Sequence, residues 1–221
     1  MKAECLKGQM RVTDADQFFH DVLKGLHPIF KQQGFRKAGQ NFVLESSECW
    51  VVTNLQKSRW SGQDEKTFYV NLGATAKRLL TFAGERSDKP PSHWKCAWNV
   101  RAEHLAPEPK IQQWTVRDEK SVEETLEYLR ILVGQFVIPK LKGMLTEADL
   151  LGIWADDSRL GYPNLKAKSI LLAAQGKRVE LEQTLRRLKD EFGSGVVSEG
   201  VTTHFAALQR AFPDTIRAVW L

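Results

Sequence analysis

The sequence predicts an α+β fold, in which a mainly antiparallel sheet of about five strands is covered by two helices and followed by a helical C-terminal segment. Helical spacing of apolar residues before position 34 gives way to strand-like alternation over 35–117. Helical spacing then returns, and no strand pattern follows residue 155. We therefore expect an α+β domain over 1–145 and a helical segment over 146–221 that packs on it.

The first helix is predicted by a run of apolar residues at helical spacing. Its apolar face carries Phe18, Phe19, Val22, Leu23, Leu26, Ile29 and Phe30. Thr13 precedes this run as a candidate N-cap, and Gly34 follows it as a candidate stop. Pro28 predicts a kink or a break within the helix.

Five segments of alternating character predict the strands, over 35–45, 48–60, 66–76, 94–104 and 111–117. The third has the simplest pattern, because Phe68, Val70, Leu72 and Ala74 share one face. In the fourth, Trp94, Cys96 and Trp98 share a face that we expect to be buried. The loop at 84–93 contains Pro90 and Pro91, which exclude a central strand there.

The remaining helices follow from capping residues and helical spacing. A capping box at Ser121 to Glu124 begins a long helix over 121–142, which Pro139 should kink or end. Thr146 caps a short helix, and two further helices are predicted over 165–175 and 178–192. The last predicted helix covers 203–212 and is ended by Pro213.

Composition excludes some classes of protein and leaves others open. The chain has 221 residues, a formal net charge of +5 and three cysteines. No apolar run has the length of a membrane span, and the N-terminal residues do not resemble a signal peptide. The few cysteines favour a reducing environment, so we expect a cytoplasmic protein with no membrane partner. The surplus of positive charge permits nucleic acid or an acidic protein as a partner without requiring either.

Motifs for catalysis or cofactor binding are missing from the sequence. It contains no phosphate-binding glycine loop, no nucleophile elbow and no zinc-protease helix motif. His93, Cys96 and His104 have too few close partners for a zinc site, and Cys96 is better explained as a core residue. The carboxylates Asp156 and Asp157 fit a solvated loop. We therefore predict no metal or cofactor, assign no catalytic residue and favour a non-enzymatic protein.

A candidate binding face is predicted where amide, cationic and aromatic side chains lie close together on the strands. Such groups suit a protein interface, and they also suit stacking on bases beside phosphates. The polar outer face of a sheet would present the same residue types without binding anything. The candidate residues are Gln56, Lys57, Ser58, Arg59, Trp60, Tyr69, Asn71, Asn99 and Arg101.

Several short strings, in their order along the chain, resemble a bacterial family known as domain of unknown function 4304. The strings are Gly34 to Lys37, Asn41-Phe42, Asn54 to Ser58 and Phe68 to Gly73. The resemblance covers roughly residues 15–145 and implies an α+β domain without a known activity. It also draws attention to Gln56, Lys57, Ser58, Asn71 and Gly73, and a glycine within a strand suggests close approach of another backbone.

These observations lead to an expectation about function. We expect a non-enzymatic binding or accessory protein whose partner is another protein, with an immunity protein as one form of it. A nucleic-acid-binding protein is the alternative. A hydrolase-like enzyme with an unrecognised site is the second alternative, and the sequence predicts no oligomeric state.

Overall fold

A computed structural model describes residues 14–106, 111–155 and 160–220 of the chain. It confirms the predicted α+β class, with a mainly antiparallel six-stranded sheet and a helical C-terminal half. The strands follow the path β1-β2-β3-β4-β5, and β6 also pairs with β4. The strands are β1 (Arg36–Ala38), β2 (Asn41–Glu45), β3 (Cys49–Lys57), β4 (Lys66–Ala76), β5 (Trp98–Arg101) and β6 (Trp114–Val116).

Helices precede the sheet, interrupt it and follow it along the chain. A π-helical turn over Val133–Val137 separates the third helix from the fourth. The helices are α1 (Asp14–Gln32), α2 (Lys77–Phe82), α3 (Glu119–Leu132), α4 (Ile138–Lys142), α5 (Glu147–Ile153), α6 (Tyr162–Ala174), α7 (Arg178–Phe192), α8 (Ser198–Ala211) and α9 (Pro213–Trp220).

The chain forms two compact units, and β3 and β4 contribute residues to both of them. The first unit takes the described residues of Met1–Phe42, Asn54–Asn71 and Arg101–Ile138. The second takes those of Val43–Thr53, Leu72–Val100 and Pro139–Leu221. The division at residue 145 expected from the sequence stays a prediction.

Aromatic rings dominate the core of the first unit, where α1 and α3 pack together. The ring of Phe30 stacks on that of Phe42 with their centroids 4.2 Å apart. Phe68 on β4 contacts both Phe19 on α1 and Trp114 on β6. The apolar face of the sheet in this unit is therefore covered by helix side chains, as the alternation in β4 predicts.

Helices form most of the second unit, and α6 and α7 pack closely in it. The apolar stripe predicted for α7 is buried at Leu181, Leu185 and Leu188. Ser46 and Glu48, which flank the turn before β3, anchor α5 and the turn that precedes it. The Ser46 hydroxyl donates to the Leu145 carbonyl at 2.6 Å, and the Glu48 carboxylate accepts from the Glu147 amide at 2.8 Å.

The predicted strand over 94–104 is wrong in its extent. Only Trp98–Arg101 is a strand, and 3-10 turns at His93–Lys95 and Ala102–His104 flank it. The turn removes Trp94 from the expected buried face, so its side chain is 64% exposed while Cys96 remains buried. A 3-10 turn advances the chain less than a strand does, so alternation in the sequence no longer reports one face.

The first predicted strand is also interrupted. Gly39 has a φ of +61°, which ends β1 and lets the chain turn into β2. The second predicted strand, over 48–60, ends at Lys57, and the residues after it belong to a loop.

Three helix ends differ from the predictions. The N-cap of α3 is Asp118, whose carboxylate accepts from the Ser121 amide at 2.7 Å, so the predicted capping box is displaced by one turn. Helix α8 begins at Ser198, before the predicted start, and Pro213 begins α9 where only an end was expected. Proline suits the first turn of a helix because that turn leaves its amide groups unpaired.

The long helix is disturbed where Pro139 predicts it. Proline donates no amide hydrogen, so the carbonyl one turn earlier loses its α-helical partner, and the π-helical turn lies directly before this point. The predicted cap at Thr146 is confirmed, because its hydroxyl accepts from the Asp149 amide at 3.1 Å. The predicted cap Thr13, the cysteine Cys5 and the pair Asp156–Asp157 lie outside the described residues.

Candidate docking surface on the sheet

A row of hydrogen-bonded amides crosses β2, β3 and β4 in the first unit; we call it the amide ladder. Asn54 donates to the Asn41 side-chain oxygen at 2.7 Å. Asn71 donates to the oxygens of Asn54 at 3.4 Å and Gln56 at 2.9 Å. These residues are brought together because Asn54 and Gln56 occupy alternate positions of β3 and so share a face. Asn71 is buried and holds the ladder in one conformation.

Beside the ladder, Arg101 stacks on Tyr69. The guanidinium carbon lies 4.3 Å from the ring centroid, which is a favourable cation–π geometry. The Tyr69 hydroxyl donates to the Gln113 side-chain oxygen at 3.2 Å, so the ring itself is held in place. Tyr69 and Asn71 are two residues apart on β4 and lie about 7 Å from each other on the same face. The stack and the ladder therefore form one polar surface.

This surface is chemically one-sided. The side-chain oxygens of Asn41, Asn54 and Gln56 each accept an N–H from within the ladder. The exposed Gln56 amide nitrogen and the exposed Arg101 guanidinium remain as donors. Arg101 also has no carboxylate within ion-pair distance among the described residues. The surface can therefore donate hydrogen bonds to an acceptor, and the strongest of these would be formed with a carboxylate.

Lys57 does not join the predicted face. It follows Gln56 by one residue, so its side chain leaves the opposite side of β3. There its ammonium contacts the Asp16 carboxylate of α1 at 3.0 Å and lies 5.6 Å from the Phe19 ring centroid. The strand alternation therefore divides the predicted cluster, and Lys57 serves the helix-covered side of the unit.

Ser58, Arg59 and Trp60 lie in the loop after β3. The Ser58 hydroxyl accepts from the Trp60 amide at 3.2 Å, and its own amide donates to the Thr67 carbonyl at 2.8 Å. Arg59 is exposed, and the Trp60 side chain is 91% exposed. The structure places these residues at a loop tip and not on the flat face.

Asn99 belongs to the second unit. Its side-chain amide donates to the Cys96 carbonyl at 3.1 Å, so it supports the turn that precedes β5.

The candidate residues predicted from the sequence do not include Asn41, Asn54 and Gln113, which the structure adds to the surface. The alternation in β3 gives a signal for Asn54, since it lies two residues before Gln56. Asn41 and Gln113 depend on strand register, which a single sequence does not contain.

The two cysteines in the described residues, Cys49 and Cys96, are buried and offer little reactivity. Burial raises the pKa of the Cys49 thiol to about 12, with neighbouring carboxylates adding to the effect, and burial alone does the same for Cys96. Both thiols therefore remain protonated and poorly nucleophilic at neutral pH. The described residues also contain no group of three or more His, Cys, Asp or Glu side chains arranged to hold a metal ion.

The fold and this surface define an α+β protein with an open, donor-rich sheet face. The chain belongs to the family described as Domain of unknown function (DUF4304), whose sequence profile matches residues 26–143, and the predicted family resemblance is confirmed. Comparison with curated proteins found no match, and comparison with solved structures found none either. No helix in the described residues is both long enough and apolar enough to cross a membrane.

Proposed function

We propose that the chain is a non-enzymatic binding protein, and that the surface formed by the amide ladder and the Arg101–Tyr69 stack docks an acidic protein partner. The observation that carries the proposal is the one-sided chemistry of the surface, where the side-chain oxygens of Asn41, Asn54 and Gln56 accept hydrogen bonds and N–H donors remain. Carboxylates at the partner's surface would complete these donors with charge-assisted hydrogen bonds.

Preorganisation supports the same proposal. The Arg101 side chain rests on a ring that is itself hydrogen-bonded, and Gln56 is fixed through its oxygen. Binding would therefore order few additional rotamers, which lowers the entropic cost of association. Tyrosine and arginine are also the residues that most often contribute strongly to protein interfaces.

Binding to an acidic probe tests the proposal directly. Titration with poly-L-glutamate, followed by amide chemical shifts, should give saturable changes around Gln56 and Arg101. The double variant Gln56→Ala with Arg101→Ala should bind about tenfold or more weakly, since an arginine that is a hot spot of an interface contributes about 2 kcal/mol or more and about 1.4 kcal/mol is a factor of ten in affinity. The control Arg130→Ala removes an exposed arginine from α3 of the same unit and should bind like the wild type.

Capture from the native host extends the test to the natural partner. Beads carrying the wild type or the Arg130→Ala variant should retain an acidic protein that the double variant does not retain. Equal retention by the double variant would contradict the proposal. Retention that nuclease treatment abolishes would favour the nucleic-acid alternative, for which the exposed Trp60 beside Arg59 is the supporting observation.

An immunity role and a hydrolase-like activity each remain a prediction for this chain. An immunity role requires that the captured partner be a toxin whose activity the chain blocks. A hydrolase-like activity requires that the chain turn over a substrate, and incubating the purified chain with the captured material would measure that turnover.

A further inference from the structure

The second unit contains a cavity of about 620 Å³ between α2, α6 and α8. This volume is within the range of sites that bind small organic molecules. Most of its wall is apolar, with Leu79 and Phe82 from α2, Ile170 from α6 and Ala207 from α8. The cavity thus suits a ligand with an apolar body.

Lys166 on α6 supplies a positive charge in this wall. Its ammonium lies 5.1 Å from the Tyr162 ring centroid, and no carboxylate among the described residues lies within ion-pair distance of it. A cation beside apolar side chains without a counter-ion favours the arrival of an anion. Glu199 lies at the exposed side of the cavity, which disfavours ligands that carry several negative charges.

His204 lines the same cavity as a neutral group. The Ser169 hydroxyl donates to the Lys166 carbonyl at 2.8 Å and is hydrogen-bonded to Nε2 of His204, also at 2.8 Å. Burial and the charge of Lys166 lower the pKa of His204 to about 4, which leaves Lys166 as the positive charge of the wall at neutral pH.

Tyr162 contributes a buried hydroxyl that has no hydrogen-bond partner among the described residues. It is packed against α8 so closely that a Cβ at Gly200 would lie 2.5 Å from its oxygen. A buried hydroxyl without a partner costs stability, so this contact between α6 and α8 is held by the packing around it.

We infer that this cavity binds a small monocarboxylate with an apolar body, such as an aromatic or medium-chain acid, with Lys166 as the counter-ion of the carboxylate. The apolar wall accommodates the body of the ligand, and the single uncompensated cation selects one negative charge. The site belongs to the second unit, and it is separate from the docking surface proposed in the first.

A set of matched ligands tests this inference by calorimetry on the full chain. The probes are phenylacetate, 4-phenylbutyrate and octanoate, each compared with its neutral primary amide. We expect saturable binding of at least one acid and at least tenfold weaker binding of its amide. The Lys166→Met variant should lose this preference, and Lys166→Arg should retain most of it.

Two further variants separate loss of the charge from loss of the fold. The Ala207→Phe variant fills the cavity and should abolish binding of both acid and amide, with the helical circular dichroism unchanged. The Lys189→Met variant removes an exposed lysine of α7 and should bind like the wild type. The inference is overturned if no acid binds saturably, if acid and amide bind equally, or if Lys166→Met keeps the tenfold preference.

Discussion

The two ends of β4 differ in the residues that they place on the same outer face of the strand. In the first unit, this face holds Tyr69 and Asn71, whose polar side chains are hydrogen-bonded. In the second unit, Gly73 and Thr75 are buried, and a Cβ at Gly73 would lie 2.7 Å from Cys96 Sγ. Large side chains occupy this face where they hydrogen-bond to neighbouring side chains, and a glycine occupies it where the 93–96 turn packs against the strand. The residue types at alternate positions therefore indicate which part of the face a backbone segment approaches closely.

The largest loss of stability is expected at Gly73, where the 93–96 turn packs against β4. The Gly73→Val variant places a branched side chain against Cys96 and the His93 carbonyl, and it should lower the free energy of unfolding by about 3 kcal/mol. The midpoint of urea unfolding measures this change. The Gly152→Ala variant is the control, because nothing lies within 4 Å of its new Cβ, and it should raise stability by about 0.5 kcal/mol. If the Gly73→Val variant is as stable as the wild type, then the turn over 93–96 is not closely packed against β4.

The second largest effect is a pH dependence of stability, which we expect from the buried His204 of the second unit and not from the amide ladder of the first. Burial lowers the pKa of His204 to about 4 in the folded chain, whereas an unperturbed histidine has a pKa of 6.5, so the unfolded chain binds the proton first as the pH falls. Stability should fall as the pH is lowered from about 6.5 towards 4, by up to about 3 kcal/mol, and it should be recovered as the pH rises.

Urea unfolding at pH 7, 5.5 and 4.5 measures this dependence. The His204→Asn variant keeps a side-chain amide beside Ser169 and should show a flatter pH dependence. The Asn71→Ala variant should retain the wild-type slope, because no group in the amide ladder titrates in this range. A His204→Asn variant with the wild-type slope would contradict the assignment.

A smaller effect is expected from breaking the amide ladder at its centre. The Asn71→Ala variant removes two hydrogen bonds and leaves the oxygens of Asn54 and Gln56 without their donor, at a cost of about 1–2 kcal/mol. The Gln56→Ala variant should cost less, because Gln56 is exposed. If the Asn71→Ala variant is as stable in urea as the wild type, then the ladder contributes little to the fold.

The smallest effect on stability is expected at Arg101. Its side chain is exposed, so the Arg101→Ala variant should change the free energy of unfolding by about 0.5 kcal/mol or less. Unfolding in urea measures this change beside the poly-L-glutamate titration. A loss above about 1.5 kcal/mol would show that Arg101 is a structural residue.

The sequence predicts the regular parts of this fold well, because their periods are long and uninterrupted. Helix α1 and strand β4 match their predicted segments closely. The predictions fail where one residue changes the backbone path, as at Gly39 and in the turn before Cys96. Alternation records side-chain polarity, and it does not report such changes of direction.

The candidate surface could be predicted only in part. Gln56, Tyr69, Asn71 and Arg101 meet in the first unit, but Lys57 lies on the other side of β3 and pairs with Asp16. Strict alternation already separates Gln56 from Lys57, so that division could have been found from the sequence. The partners Asn41 and Gln113 could not, because strand register depends on long-range packing. The same reason hides the cavity, whose walls come from residues more than a hundred positions apart.

The direction of the hydrogen bonds in the amide ladder also affects how this surface interacts with a second copy of the chain. Each copy carries 32 lysine and arginine residues against 27 aspartate and glutamate residues, so a second copy presents a small excess of cations to the ladder. Such a cation would meet the exposed Arg101 guanidinium beside the ladder, while the side-chain oxygens of Asn41, Asn54 and Gln56 already accept hydrogen bonds, and like charges in contact repel each other. The arrangement therefore disfavours contact between this face and a lysine or arginine side chain of a second copy.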